Sequence, residues 1–538
     1  MFKRIIATVT IFIGLCCSPH IITAEQNSIS AVACDHRFGA QATWSHETDT
    51  AVVNSFYYAE ACAYKFNLAL TVFDNPFFQK SSHIPLTQRQ EANETGRISF
   101  QVYFSSDRWR APKVPENEPD PEKIFPIIPD YYSDKWSETG VVAGFKVQVG
   151  QQKPKRFPNH GQQLFDISDG KYGFDVDHDQ PGETDVLTAL INYQRSWNLE
   201  LYGEMPSAAA YRNGQTGAAF TMPKFFLGLR NSDTTGNICY GKSTEHEGFL
   251  GNNCNDVIIP PRMCLKPGTT RAGDMDASRD EVLRHCGDLL RQAIAANGWY
   301  NDFIHWHTNP RYHTTLHDFY QSQRAIMAGH DIVTLDYGDA VEHKALRDMA
   351  TIESECRDNS VQLQVTYRDP YGILPLEAIN IPLSVKVDLS KSPFRGRDIT
   401  SPESPGIRKL GDDVYIIEIP FHQREETVIV NILPANTPDK YLDFSLPVVE
   451  QATLADGILT VQTRPATRLA IFMDFDEQVP KKVKLLERSN QLQTLHKIDL
   501  TPYTEKIHKA PIHIGAITQQ CQSILFGPLT ITLPDHDS

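Results

Sequence analysis

Past its first two dozen residues the chain has no apolar run long enough to cross a bilayer, which excludes a further membrane helix. It has no basic stripe. With 66 acidic residues against 51 basic ones and a net charge of −15, nucleic acid is excluded as a partner. No two cysteines show the close spacing of a zinc knuckle, and no segment repeats at a fixed period, so neither a zinc-finger scaffold nor a solenoid is expected.

What is present begins with an export signal. Lys3 and Arg4 precede an apolar run over residues 5–17, and a polar exit ends at Ala24, the order that signal peptidase reads. Residues 1–24 are therefore expected to be a signal peptide, and the mature chain to be secreted or periplasmic. Beyond Cys16 and Cys17, eight cysteines remain: Cys34, Cys62, Cys239, Cys254, Cys264, Cys286, Cys356 and Cys521. An even number in an exported chain is expected to form disulfides. Cys239 with Cys254 and Cys264 with Cys286 are the pairs nearest in sequence.

The pattern of apolar residues changes along the chain. Up to about residue 353, short apolar runs alternate with amphipathic helical segments; after Cys356, runs of period two follow one another. Residues 30–355 are expected to form an α/β unit, a parallel barrel or open sheet, with an insertion at about 75–170. Residues 356–538 are expected to form a β-sandwich region of one or two modules. Strands are expected at 40–44, 68–73, 199–202, 302–305 and 331–335, and helices at 52–65, 184–197, 279–297 and 316–328.

Residues capable of chemistry gather just after the expected strands, where parallel α/β folds carry their active sites. Trp44, His46, Glu47 and Asp49 follow the first strand. A second group contains Asp175, Asp177, His178, Asp179, Glu183 and Asp185, the mixture of imidazole and carboxylate that suits zinc and similar ions. Tyr211 and Arg212 form a third group, in which the guanidinium fork can orient a substrate oxygen. His305, Trp306 and His307 form a fourth, pairing proton donors with a sugar-stacking ring.

Taken in order, these groups resemble the polysaccharide deacetylase family, the chitooligosaccharide deacetylase-like carbohydrate esterases. Thr43-Trp44-Ser45-His46 is similar to the family's Thr-Phe-Asp-Asp, Gly173-Phe174-Asp175-Val176-Asp177-His178 to its Gly-His-Glu-Ile-Gly-Asn-His, and 206–214 to its Arg-bearing turn. The resemblance covers about residues 39–343 and implies an α/β fold, an incomplete (β/α) barrel, followed here by the β-sandwich region. Departures fall on the motifs themselves. Ser45 stands at the catalytic-base aspartate, His46 at a metal-ligand aspartate and Gly182 at the second metal histidine.

The function the resemblance implies is that of an exported hydrolase removing acetyl groups from a polysaccharide or oligosaccharide. A divalent metal, zinc by family, would be held by His46, His178 and Asp179, with Glu183 or Asp185 as substitutes for the last. Glu47 or Asp49 would replace the missing base, His305 or His307 would protonate the leaving group, Arg212 would orient the substrate, and Trp44, Tyr211 and Trp306 would hold the sugar. Two other readings stand beside it: a metal-independent glycoside hydrolase or lyase using paired carboxylates, and a non-catalytic glycan-binding protein.

Overall fold

The computed structural model describes residues 29–34, 42–49, 53–74, 84–104, 139–142, 145–149, 174–176, 195, 198–199, 201–211, 225–231, 262–264, 279–295, 299–303, 316–330, 332–368, 376–421, 425–434, 441–477, 483–507 and 510–529. Elements are numbered in chain order. β1 (Ser30–Cys34) precedes a sheet of eight strands: β2 (Ala42–Asp49), β3 (Leu70–Asp74), β4 (Ile98–Phe104), β8 (Ala208–Tyr211), β9 (Gly228–Asn231), β10 (Arg262–Cys264), β11 (Trp299–Phe303) and β12 (Ile332–Leu335). Every pairing in this sheet is parallel. The helices α1 (Val53–Phe66) and α2 (Leu86–Glu94) link its first strands. α3 (Arg279–Ala295) and α4 (Leu316–Met327) flank β11, and α5 (Tyr337–Met349) follows β12.

The expected (β/α) barrel is not formed. The spatial order is β10-β11-β2-β3-β4-β8-β9, with β12 against β2, and closure would require β9 to pair with β10. Among the described residues β9 pairs only with β8 and β10 only with β11, so the parallel sheet has two edges. Among the described residues strand outweighs helix, and the other sheets are antiparallel.

One of these holds β5 (Thr139–Val142), β6 (Phe145–Val149) and β7 (Phe174–Val176), within and just after the expected insertion. A second is made by β1 with β15 (Leu383–Asp388), β17 (Ile407–Lys409) and β18 (Val414–Ile419), in the order β1-β15-β18-β17. A third is made by β13 (Ala350–Arg357), β14 (Ser360–Tyr367), β16 (Asp398–Thr400) and β19 (Glu425–Leu433), in the order β13-β14-β19-β16. The last comprises β20 (Val448–Ala455), β21 (Ile458–Met473), β22 (Lys484–Asp499), β23 (Ile512–Thr518) and β24 (Ser523–Leu529), with the single turn α6 (Thr504–Ile507) after β22. Asp456 and Gly457, both at positive φ, make the tight β20–β21 turn that an Asp-Gly pair favours.

Side-chain alternation along the parallel strands builds a core on each face. Leu70, Val72 and Tyr300 join one cluster with α1, α3, α4 and Ala470, Phe472 and Ile517 of the last sheet. Phe73, Trp299, Val333 and Leu335 join the other, together with α5 and buried residues of the two four-stranded sheets, among them Leu363 and Val365 of β14 and Val385 and Val387 of β15. α1 thus lies between two sheets, and this is why Phe56, Tyr58, Ala59, Ala61, Cys62 and Tyr64 are all fully buried instead of forming one apolar stripe. Residues 199–202, expected as strand, are helical where they are described.

Of the eight cysteines expected as disulfides, Cys62, Cys356 and Cys521 are free thiols. No helix among the described residues is long and apolar enough to cross a membrane.

Candidate functional site

Because the strands run in one direction, the carboxyl ends of all but β12 share one edge of the sheet, the carboxyl edge, while β12 ends opposite Ser45, beside the start of β3. Register fixes how the neighbours align there. Phe303 of β11 is opposite Glu47 of β2, Asp49 is opposite Phe73 of β3, Asp74 is opposite Val102 of β4, and Phe104 is opposite Tyr211 of β8. The backbones of Glu47, Asp49 and Tyr211 therefore belong to this edge. The chain leaves β11 at Phe303, two positions before His305, and leaves β8 at Tyr211, one before Arg212. Arg212, His305, Trp306, His307, His178 and Asp179 lie outside the described residues.

Two expectations are corrected. His46, Glu47 and Asp49 are not in a turn, because β2 continues through Asp49, held by β11 on one side and by β12 and β3 on the other. Trp44 is 1 % exposed, with its ring edge-on to Tyr320 at a centroid distance of 5.9 Å, so protein already covers the surface a sugar would need. Of the expected metal set, only His46 falls in a described segment. Among the described residues no group of three or more His, Cys, Asp or Glu side chains is arranged to hold a metal ion.

The best-defined cluster of titratable groups is one that strand-end reasoning missed. A cavity of about 30 Å³ at the start of α5 is lined by Glu204, Asp336, Asp339, Glu342, Gln101 and Asn380, among others. Asp336 caps α5, its Oδ1 accepting the Asp339 N–H at 3.0 Å. Glu342 accepts three N–H bonds: from Asn380 N at 2.6 Å, Ile381 N at 3.2 Å and Asn380 Nδ2 at 3.1 Å. Burial nevertheless pushes the Glu342 carboxyl up to about 8. Burial, reinforced by the neighbouring Asp336, holds Asp339 well above its ordinary value. Each of these groups keeps its proton to a higher pH than a solvated carboxyl.

The sequence signal for this cluster is the spacing Asp336, Asp339, Glu342, which puts three carboxyls along one helical face. Gly338 lets α5 approach β4, since a Cβ there would collide with the Gln101 side-chain amide. Gln101 is in turn held by the Ala208 N–H, at 3.1 Å from its Oε1. The three bonds that Glu342 accepts from 380–381 tie the parallel sheet's last helix to the segment entering β15, a structural duty that accounts for its burial.

No protein-family model matches the chain, and no curated protein matches it significantly in sequence.

Proposed function

We propose that the chain is an exported carbohydrate-active hydrolase that removes acetyl groups from a polysaccharide, working at the carboxyl edge of the parallel sheet. The observation that carries this reading is the register that brings the carboxyl ends of β11 and β2 side by side, Phe303 opposite Glu47, with the β8 exit on the same edge. The backbones of three separated stretches of sequence thereby end at one edge of one sheet, the place where parallel α/β sheets bind their ligands.

In this reading Glu47 or Asp49 takes the proton of the attacking water, and His305 or His307 protonates the amine or hydroxyl that leaves as acetate is released. Arg212 holds a substrate oxygen with its forked donors, and Tyr211 and Trp306 pack against the sugar. A divalent cation, if bound, would be held by His46, His178 and Asp179 and would supply polarisation of the acetyl carbonyl.

The test is acetate release from acetylated glycans by the purified chain, alongside its metal content. Glu47→Gln, Asp49→Asn and His305→Gln are each assayed, and loss of one essential acid or base is expected to slow release by about 10²- to 10⁴-fold. Unchanged release in all three variants would remove this edge from the reaction. Chelator-resistant release of reducing sugar without acetate would replace deacetylation with glycosidic cleavage.

A further inference from the structure

Where β3 and β4 begin and β12 ends lies a larger cavity of about 230 Å³, roomy enough for a small molecule and not only for water. Its lining includes Asn67, Arg97, Arg324, Asp336, Arg408 and Gln522. Asn67, in the left-handed conformation just past α1, fastens the far wall: its Nδ2 donates to Gln522 Oε1 at 2.9 Å and its Oδ1 accepts the Ser523 N–H at 2.9 Å.

Arg97 is 4 % exposed, its Nε has no hydrogen-bond partner, and among the described residues no carboxylate stands within ion-pair distance of it. Its neighbour offers no compensation. Arg324 donates Nε to Phe66 O and Nη2 to Asn67 O, each at 2.7 Å, and is itself a cation, held down to about 10 by burial and by the charge of Arg97. Arg408, with its guanidinium 4.7 Å from the Phe444 ring, adds a third positive group to the lining. On the acidic side, Asp336 already caps α5, and burial, reinforced by Asp336, holds the Asp339 carboxyl well above its ordinary value.

A buried guanidinium that lines a cavity with its Nε unpartnered, beside a second guanidinium, is costly unless something negative completes it. We infer that this cavity is a binding site for a small oxyanion, a phosphate, a sulfate or the carboxylate of a sugar acid, with Arg97 as its principal ligand and Arg324 beside it. Forked donors suit any of these by two parallel N–H···O bonds. The site is separate from the carboxyl edge and does not depend on the hydrolase reading.

The test is calorimetric titration of the full chain with phosphate, sulfate and glucuronate, against chloride at matched ionic strength, with the unfolding midpoint followed in parallel. At least one oxyanion is expected to bind saturably and raise the midpoint, and which one does so separates an inorganic ligand from a sugar acid. Arg97→Met is expected to weaken that binding at least tenfold, and in chloride alone to unfold no earlier than the parent, since it removes an uncompensated charge. Arg97→Lys, which keeps the charge but loses the fork, is expected to bind with intermediate affinity and serves if the Met variant does not fold. Absence of saturable binding by all three anions, or parental affinity in the Arg97 variant, overturns the inference.

Discussion

A carboxyl that keeps its proton to about pH 8 reverses the usual dependence of stability on pH. Glu342 has an ordinary value of 4.5 in the unfolded chain and about 8 in the folded one. Its contribution is therefore fully present below the lower value and lost as pH rises through the upper one. Measured by denaturant unfolding between about pH 5 and 9, the parent is expected to lose stability relative to Glu342→Gln, with a slope of up to about 1.4 kcal/mol per pH unit. A difference that does not vary with pH would mean that the carboxyl is ionised throughout. Trp44 invites a second test at this scale. Trp44→Ala is expected to cost about 3–5 kcal/mol by cavity formation, whereas Trp44→Leu, which keeps an apolar filler without an aromatic face, should keep glycan activity, an outcome a sugar-stacking role would forbid. The sequence shows which side chains are able to do chemistry, but not which are covered. Trp44 looks like a ligand surface in the string Trp-Ser-His-Glu, and residues far along the chain, Tyr300 and Tyr320 among them, make it core.

Among the elements, α1 carries the most consequence. Glu60 on its buried surface is gripped by Arg488 of β22 through two bonds of 2.8 and 2.7 Å, and neither side chain reaches solvent. Burial pushes Glu60 up to about 7 even with Arg488 against it. Removing one partner strands a buried charge, so Arg488→Met is expected to cost about 3–5 kcal/mol in denaturant unfolding, and the double variant Glu60→Leu, Arg488→Met to recover most of it. A double variant no better than the single one would show that packing, not charge, accounts for the loss. Three of the six described helices, α1, α3 and α4, are legible in the sequence, because their apolar spacing is local: the pattern over 316–328 matches Leu316–Met327, whereas α2 and α5 carry no such signal. Element ends are less so. β2 runs on through His46, Glu47 and Asp49 because neighbouring strands hold polar residues that by themselves suggest a turn. β21 runs sixteen residues across Arg464-Pro465, where the apolar pattern suggests two separate strands, by shifting register against β22 between Gln462 and Thr467.

For the molecule as a whole, the parallel direction of the first sheet is legible from alternating strands and helices, but its openness is not, since closure depends on whether β9 and β10 meet. The strand-exit groups are legible as a set; the Asp336, Asp339 and Glu342 cluster is hidden inside a helix whose polar face the fold turns inward. β1 has no local signal because its partner is β15, with Cys34 Sγ hydrogen-bonded to Ser384 O across 350 positions of sequence. Deleting residues 25–34 is expected to leave β15 as an unpaired edge and to produce aggregation on size-exclusion chromatography, while a chain beginning at residue 25 remains monodisperse.

That pairing also sets an order of events. The first strand to leave the ribosome is among the last to find its place, because the strand that receives it is made some 350 residues later. Until then its backbone donors and acceptors are unspent, and the chain cannot lock into its final form from the front.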